Sequence, residues 1–385
     1  MSQFCSGEDG VSRIGVESDI SFAESVTVQG RELVFTSQLL PLDARGALVG
    51  PEAPREQIER VLDSLFSVLE QQQCRPEDVV RLNIYVADER LSSLLCERWK
   101  LRVPGLGPSL SMVTTRLPVA GAMLAVDAVA ARAPTITDAL PVRARTAGIA
   151  GHEHIAHAAV LPVGETIYIS GQAEPGANLV EATANTLAGL QRTLEHLGLG
   201  KQHVVEVKCF LTPMSEAESV YNEVSRFFGD GIAPPVSVVD WISTLPIEIE
   251  MVVHAPAGIA KPGATHEWLP WLTNSPVYCR LARVQGDTQI FVSGCFGSPG
   301  DNETLQVAEV FDRLQERLKE AGSDLRHMVK ATYYVSNDAA SAAVNEIRPT
   351  LYDPEHPPAA SKALVTGVGQ LGGAVTLDMI AIPAR

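Results

Sequence analysis

The chain repeats one pattern three times, so any fold for its 385 residues has to be assembled from three like units. The clearest copies are β-rich strings: Val80-Arg81-Leu82-Asn83-Ile84-Tyr85-Val86, Val205-Glu206-Val207-Lys208-Cys209-Phe210-Leu211 and Val329-Lys330-Ala331-Thr332-Tyr333-Tyr334-Val335. Their last residues fall 125 and 124 positions apart. A second string precedes each, containing Phe35-Thr36-Ser37-Gln38, Ile169-Ser170-Gly171-Gln172 and Val292-Ser293-Gly294-Cys295. A third closes each copy, around Asp127, Glu250 and Asp378.

Each copy reads as two or three strands, a helix, a strand, a less patterned helical stretch and two more strands. Apolar residues at helical spacing mark the first helix: Ile58, Val61, Leu62, Leu65 and Leu69 in one copy, Leu187, Leu190, Leu194 and Leu197 in the next, then Val307, Val310, Phe311, Leu314 and Leu318. Gly198 and Gly322 follow as stops. Such a stripe covers one face of a sheet, which makes the fold class α+β, with sheet on one side and helices on the other. Pro/Gly-rich joints set the repeats at 1–133, 134–257 and 258–385. The polar segment up to residue 17 is expected to be loosely ordered.

Composition removes several classes of function. No apolar run is long enough for a membrane span, and the N-terminus lacks the basic and apolar regions of a signal peptide, so the expected location is cytoplasmic. The formal charge of -16 repels phosphate backbones, and no basic run offsets it locally. Neither a membrane nor nucleic acid is therefore an expected partner. Six scattered cysteines, without a CxxC pair, read as reduced thiols.

The middle copy carries Tyr168-Ile169-Ser170-Gly171-Gln172, Val205-Glu206-Val207-Lys208, Tyr221-Asn222-Glu223, Ala233-Pro234-Pro235, Leu245-Pro246 and Ile247-Glu248-Ile249-Glu250, and with these it resembles the RidA (reactive intermediate deaminase) family. The third copy matches through Val344-Asn345-Glu346 and Pro357-Pro358-Ala359-Ala360-Ser361-Lys362, the first through its strands, its helix and Asp127. The resemblance implies three chorismate-mutase-like repeats whose sheets meet around a pseudo-threefold axis, with helices outside and a cleft at each junction. A single chain would then be a pseudo-trimer that needs no further copy.

The resemblance also implies a pocket. The family grips a substrate carboxylate with an arginine, a planar donor that few side chains can replace. Counting back from Leu245-Pro246 puts Ser237 at that position; the same count gives Ser109 in the first copy, and Ala360 follows Pro358-Ala359 in the third. The acidic residue of the last strand, which in the family holds a water, corresponds to Asp127, Glu250 and Asp378. The family's tyrosine corresponds to His157 and Tyr278, and its Ser-Gly turn to Ser170-Gly171 and Ser293-Gly294. Lys362, two residues beyond the arginine position, points to the same side of its strand and offers a replacement cation or an amine nucleophile. One cleft is thus expected to gather Lys362, Asp378, Ser293, Asn345 and Tyr278, with Ser361 beside them.

The expected function is hydrolysis of an imine, enamine or related reactive metabolite in an inter-repeat cleft, with no cofactor and no metal. The alternative is a cleft that binds a metabolite or a partner without turnover. A ring-opening amidohydrolase ranks last, because those enzymes use repeated Lys-Ser pairs and only Ser361-Lys362 offers one here.

Overall fold

The three β-rich strings become the strands Val79–Val86, Val204–Leu211 and Met328–Val335, each buried along its whole length. They are seen in a computed structural model that describes residues 2–6, 9–16, 22–135, 140–256, 262–300 and 302–384. Beside each lies a parallel edge strand, Gly107–Thr114, Val236–Asp240 or Ala359–Leu364, the first flanked in turn by the two-residue strand Phe22–Ala23. On its other side lies an antiparallel closing strand, Leu124–Arg132, Ile247–Ala255 or Val375–Ala381. Among the described residues six α-helices cover the sheets: α1 (Pro54–Gln71), α2 (Leu91–Arg102), α3 (Leu179–His196), α4 (Ala217–Phe228), α5 (Glu303–Glu320) and α6 (Asp338–Leu351). A parallel step cannot be made by a tight turn, and α2, α4 and α6 supply the three crossovers.

The sheets do not respect the repeat boundaries drawn from the sequence. Beyond each closing strand comes a turn strand, Glu32–Thr36, Glu165–Gln172 or Thr288–Val292. The next neighbour of each turn strand belongs to the following repeat: Ala158–Leu161, Leu281–Gln285 and, closing the circle, Ser25–Gln29. Each sheet is therefore completed by the following repeat, which fastens the ring with backbone hydrogen bonds. The boundary at 257/258 lies outside the described residues. The N-terminal segment is not the loose tail its polarity suggested: Ser2–Ser6 pairs with Val11–Val16, which pairs with Ser25–Gln29. Backbone pairing at a sheet edge does not require apolar periodicity.

Each repeat has a core between its sheet and its helices. Ile58, Val61, Leu62, Leu65 and Leu69 of α1 are wholly buried, and burial of such side chains stabilises by about 1.5–3 kcal/mol apiece. α3 and α5 end with glycines at positive φ, Gly198 at 68° and Gly322 at 75°, whereas the residue after the end of α1 that does this is Gln73, at 59°. Two further apolar clusters lie where the three sheets meet, one around Phe35, Val80, Val205 and Val329, the other around Tyr85, Phe210 and Tyr334. A β-bulge in each central strand turns two consecutive residues inward, Val80 with Arg81, Val205 with Glu206, Val329 with Lys330. The second member of each pair is charged, so a polar layer forms at the axis.

Candidate functional site

The axial layer holds the three acids that the sequence placed in the clefts. Arg81 of the first repeat pairs with Asp378 of the third, and Lys208 of the second lies 3.8 Å from the same carboxylate. Lys330 is 2.9 Å from Glu250 and 3.8 Å from Asp378. Asp127 accepts from Asn83 Nδ2 (2.7 Å), Tyr85 OH (2.6 Å) and Ser237 Oγ of the neighbouring repeat (2.7 Å). Asp127, Glu250 and Asp378 are 2, 5 and 1% exposed. Burial raises the Asp378 carboxyl, but Arg81, Lys330 and Lys208 outweigh it and hold the group well below its ordinary value. Asp378 and Glu250 pair with buried cations and Asp127 accepts from neutral donors, so all three belong to the axial layer and line neither of the cavities at the junctions. The expectation that Asp127, Glu250 and Asp378 serve the clefts is corrected accordingly, and Ser237, whose hydroxyl is committed to Asp127, goes with them.

Another acid does sit at a cleft. Glu248 precedes Glu250 by two residues, on the same face of the strand, and its counterparts by register are Ala125 and Thr376. Each of these faces the turn of its own repeat, and each pair is matched in size. A Cβ on Gly171 would lie 2.1 Å from Glu248 Oε1, and one on Gly294 would lie 2.8 Å from Thr376 Oγ1. Opposite the small Ala125 the turn carries Gln38 instead, whose side chain crosses the junction and donates to Val238 O (2.9 Å).

The junction between the second and third repeats is hydrogen-bonded differently from the other two. In the other two junctions the turn N–H donates to the edge-strand carbonyl, Gln38 to Val236 O (3.1 Å) and Gly294 to Leu110 O (2.8 Å). Here Gly171 N–H donates to Ser361 Oγ (3.2 Å). Ser293 Oγ accepts from Leu110 N–H (2.7 Å) and donates to Ala23 O, whereas its counterpart Ser170 Oγ is buried with no partner among the described residues. Glu248 Oε1 is likewise buried and unpartnered. Burial pushes the Glu248 carboxyl up to about 7, against the hydrogen bond from Ser361. On the other face of the same edge strand, Lys362 Nζ donates to Ser341 Oγ and Asn345 Oδ1, both at 2.8 Å. Burial, then Arg348, brings its amine down to about 8. Tyr278 stacks against Arg280 and precedes Cys279, whose N–H bonds Pro358 O (3.0 Å) at the head of this strand.

The single expected cleft is thus divided. Lys362, Ser361, Asn345, Ser170, Gly171 and Tyr278 belong to the 2–3 junction. Ser293 and Gly294 line a cavity of 670 Å³ at the 3–1 junction, floored by Phe22, Leu110 and Met112. His157 lines a cavity of 530 Å³ at the 1–2 junction. Asp378 serves none of them.

Register also corrects the count back from the Leu-Pro landmarks. Leu110, Val236 and Ala360 are equivalent, facing Leu82, Val207 and Ala331, while Ser111, Ser237 and Ser361 form the next set. Ser109 therefore lies two positions off its place, because the loop from the edge strand to Leu117 is shorter than the one to Leu245. Glu248 was missed although Ile247-Glu248-Ile249-Glu250 displays it; the charges inside the central strings were the signal for the axial layer.

The chain matches the family described as Endoribonuclease L-PSP three times, over residues 18–131, 152–255 and 277–382. Among solved structures it is similar to a YjgF-family protein from Neisseria meningitidis, at 18% identity over 33% of this chain and 99% of that one, with a TM-score of 0.24. It is similar to a YjgF-family protein from Mycobacterium tuberculosis at 25% identity, over 31% of this chain and 99% of that one, with a TM-score of 0.23. RidA from an Antarctic Psychrobacter is 22% identical, over 24% of this chain and 80% of that one, at a TM-score of 0.23. No curated protein matches the chain significantly. No helix among the described residues is long and apolar enough to cross a membrane. The chain belongs to the Endoribonuclease L-PSP family, that of the YjgF and RidA proteins, and carries three tandem copies of its unit.

Proposed function

We propose that the 2–3 junction hydrolyses a small imine or enamine, and that Glu248 is its base. The observation that carries this reading is a carboxylate with one unpartnered oxygen, poised near neutrality beside the Ser170-Gly171 turn and bonded across the junction to Ser361. Ionised, Glu248 takes a proton from water as the water oxygen bonds to the imine carbon. The proton passes to the nitrogen and gives a carbinolamine; Glu248 then takes the hydroxyl proton and returns it to the nitrogen as the C–N bond breaks, and a carbonyl compound and an amine leave. Lys362, on the opposite face of the edge strand, is held by Ser341 and Asn345 and takes no part in the step. By register Ala360 is equivalent to Leu110 and Val236, and Ser237 to Ser111 and Ser361; neither set offers an arginine, so the reading favours substrates without a carboxylate.

A second reading, binding without turnover, suits the other two junctions, where Ala125 and Thr376 leave no carboxylate in place of Glu248. A panel of enzymatically generated imines, neutral and carboxylated, tests both. Accelerated hydrolysis of neutral imines that Glu248→Gln abolishes is expected. Ligand-dependent thermal stabilisation with no product from any imine would leave binding alone.

A further inference from the structure

We propose that the cleft at the 1–2 junction binds a small cationic amine that also carries a neutral hydrogen-bond acceptor, and rejects carboxylates. Its 530 Å³ cavity lies between the Ser37-Gln38 turn, the 150–157 loop and α4, with Val236 in its wall. The charged side chains among its described lining residues are Glu153 and Glu218, with neither lysine nor arginine. The 3–1 cavity differs, since Lys100 and Arg317 there offset Glu24 and Glu97. Arg145, beside the 1–2 loop, is spent on the loop's own backbone, donating to the carbonyls of His152 and Ile155. The chain's net charge of -16 adds a long-range pull on cations.

Two exposed acids are ordinarily a solvated rim, and the second observation comes from the buried side of the cavity. His157 is 2% exposed, and its Nδ1 accepts from Thr146 N–H at 2.8 Å. That bond fixes the neutral tautomer with its hydrogen on Nε2. Nε2 has no partner among the described residues, and it lies where a Cβ on Gly151 would come within 3.0 Å. A buried N–H without an acceptor is costly, and a ligand carbonyl or hydroxyl would satisfy it. Towards the rim, Asn222 Oδ1 lies 3.2 Å from His152 Nε2, and Glu218 lies 3.9 Å from the same ring. The cleft therefore offers a donor in its wall and negative charge at its mouth.

Isothermal titration with β-alaninamide and succinamate tests this, because the two share an amide and differ in ammonium against carboxylate. β-Alaninamide should bind, more weakly at high salt, and succinamate should not. The double variant Glu153→Gln, Glu218→Gln should weaken β-alaninamide about tenfold, the effect of losing two solvent-screened charge pairs. Val236→Arg should abolish that binding and admit succinamate. Equal binding of both probes, no binding of β-alaninamide, or binding that the double variant leaves unchanged overturns the proposal. Binding is read directly, so the result is independent of turnover at the 2–3 junction.

Discussion

Replacing Glu206 by glutamine should stabilise the protein at neutral pH. Glu206 is 6% exposed in the axial layer, where Arg81, Lys208 and Lys330 already face Asp127, Glu250 and Asp378. A fourth carboxylate is in excess, and burial, then Asp127, pushes its carboxyl up from 4.5 to about 7. A carboxyl whose folded value is raised binds more protons folded than unfolded, so stability falls as pH rises between the two values. At about 1.4 kcal/mol per unit, the cost exceeds about 3 kcal/mol above pH 7 and vanishes below pH 4.5. Glu206→Gln keeps the shape and removes the charge. Urea unfolding at pH 4, 6 and 8 should show the variant gaining progressively on the native chain, with no gain at pH 4 and about 3 kcal/mol at pH 8. Parallel stability curves for the two proteins would refute the charge count at the axis.

Other outcomes follow from single features. Gln73→Gly should raise thermal stability by about 0.5–1 kcal/mol, because it removes a left-handed side-chain clash at the end of α1. Gly171→Ala should destabilise by about 1–3 kcal/mol through contact with Glu248, and Glu248→Ala in the same chain should restore most of the loss, as calorimetry would show. Lys362, brought down to about 8, should acetylate ahead of exposed lysines under limiting acetic anhydride at pH 8, read by peptide mass spectrometry.

The scaffold was legible because repetition is an average over three samples. Three helical stripes and three β strings locate the sheets even where one copy, such as that containing Asp127, has drifted. Strand exchange between repeats was not legible: Ser25–Gln29 and Ala158–Leu161 precede short turns like any hairpin, and nothing local says that their partners are strands of another repeat. The clefts were half legible. Lys362, Ser361 and Asn345 were expected together, and the structure does place them together, because a strand's alternation and one helix position suffice to join them. Asp378 and Ser293 lie elsewhere, since which junction a residue faces depends on the packing of three sheets. Glu248 and Glu250 share a strand face, and only tertiary packing sends one to a cleft and the other to the axis.

The pH dependence of turnover tests the central claim most directly. With the imine that the native chain hydrolyses fastest, kcat/KM should rise with pH through an inflection near 7, as Glu248 ionises, and level off above it. Glu248→Gln should lose the inflection and about 10²–10⁴-fold in rate. A variant that keeps both the rate and the inflection would contradict the assignment of Glu248 as the base.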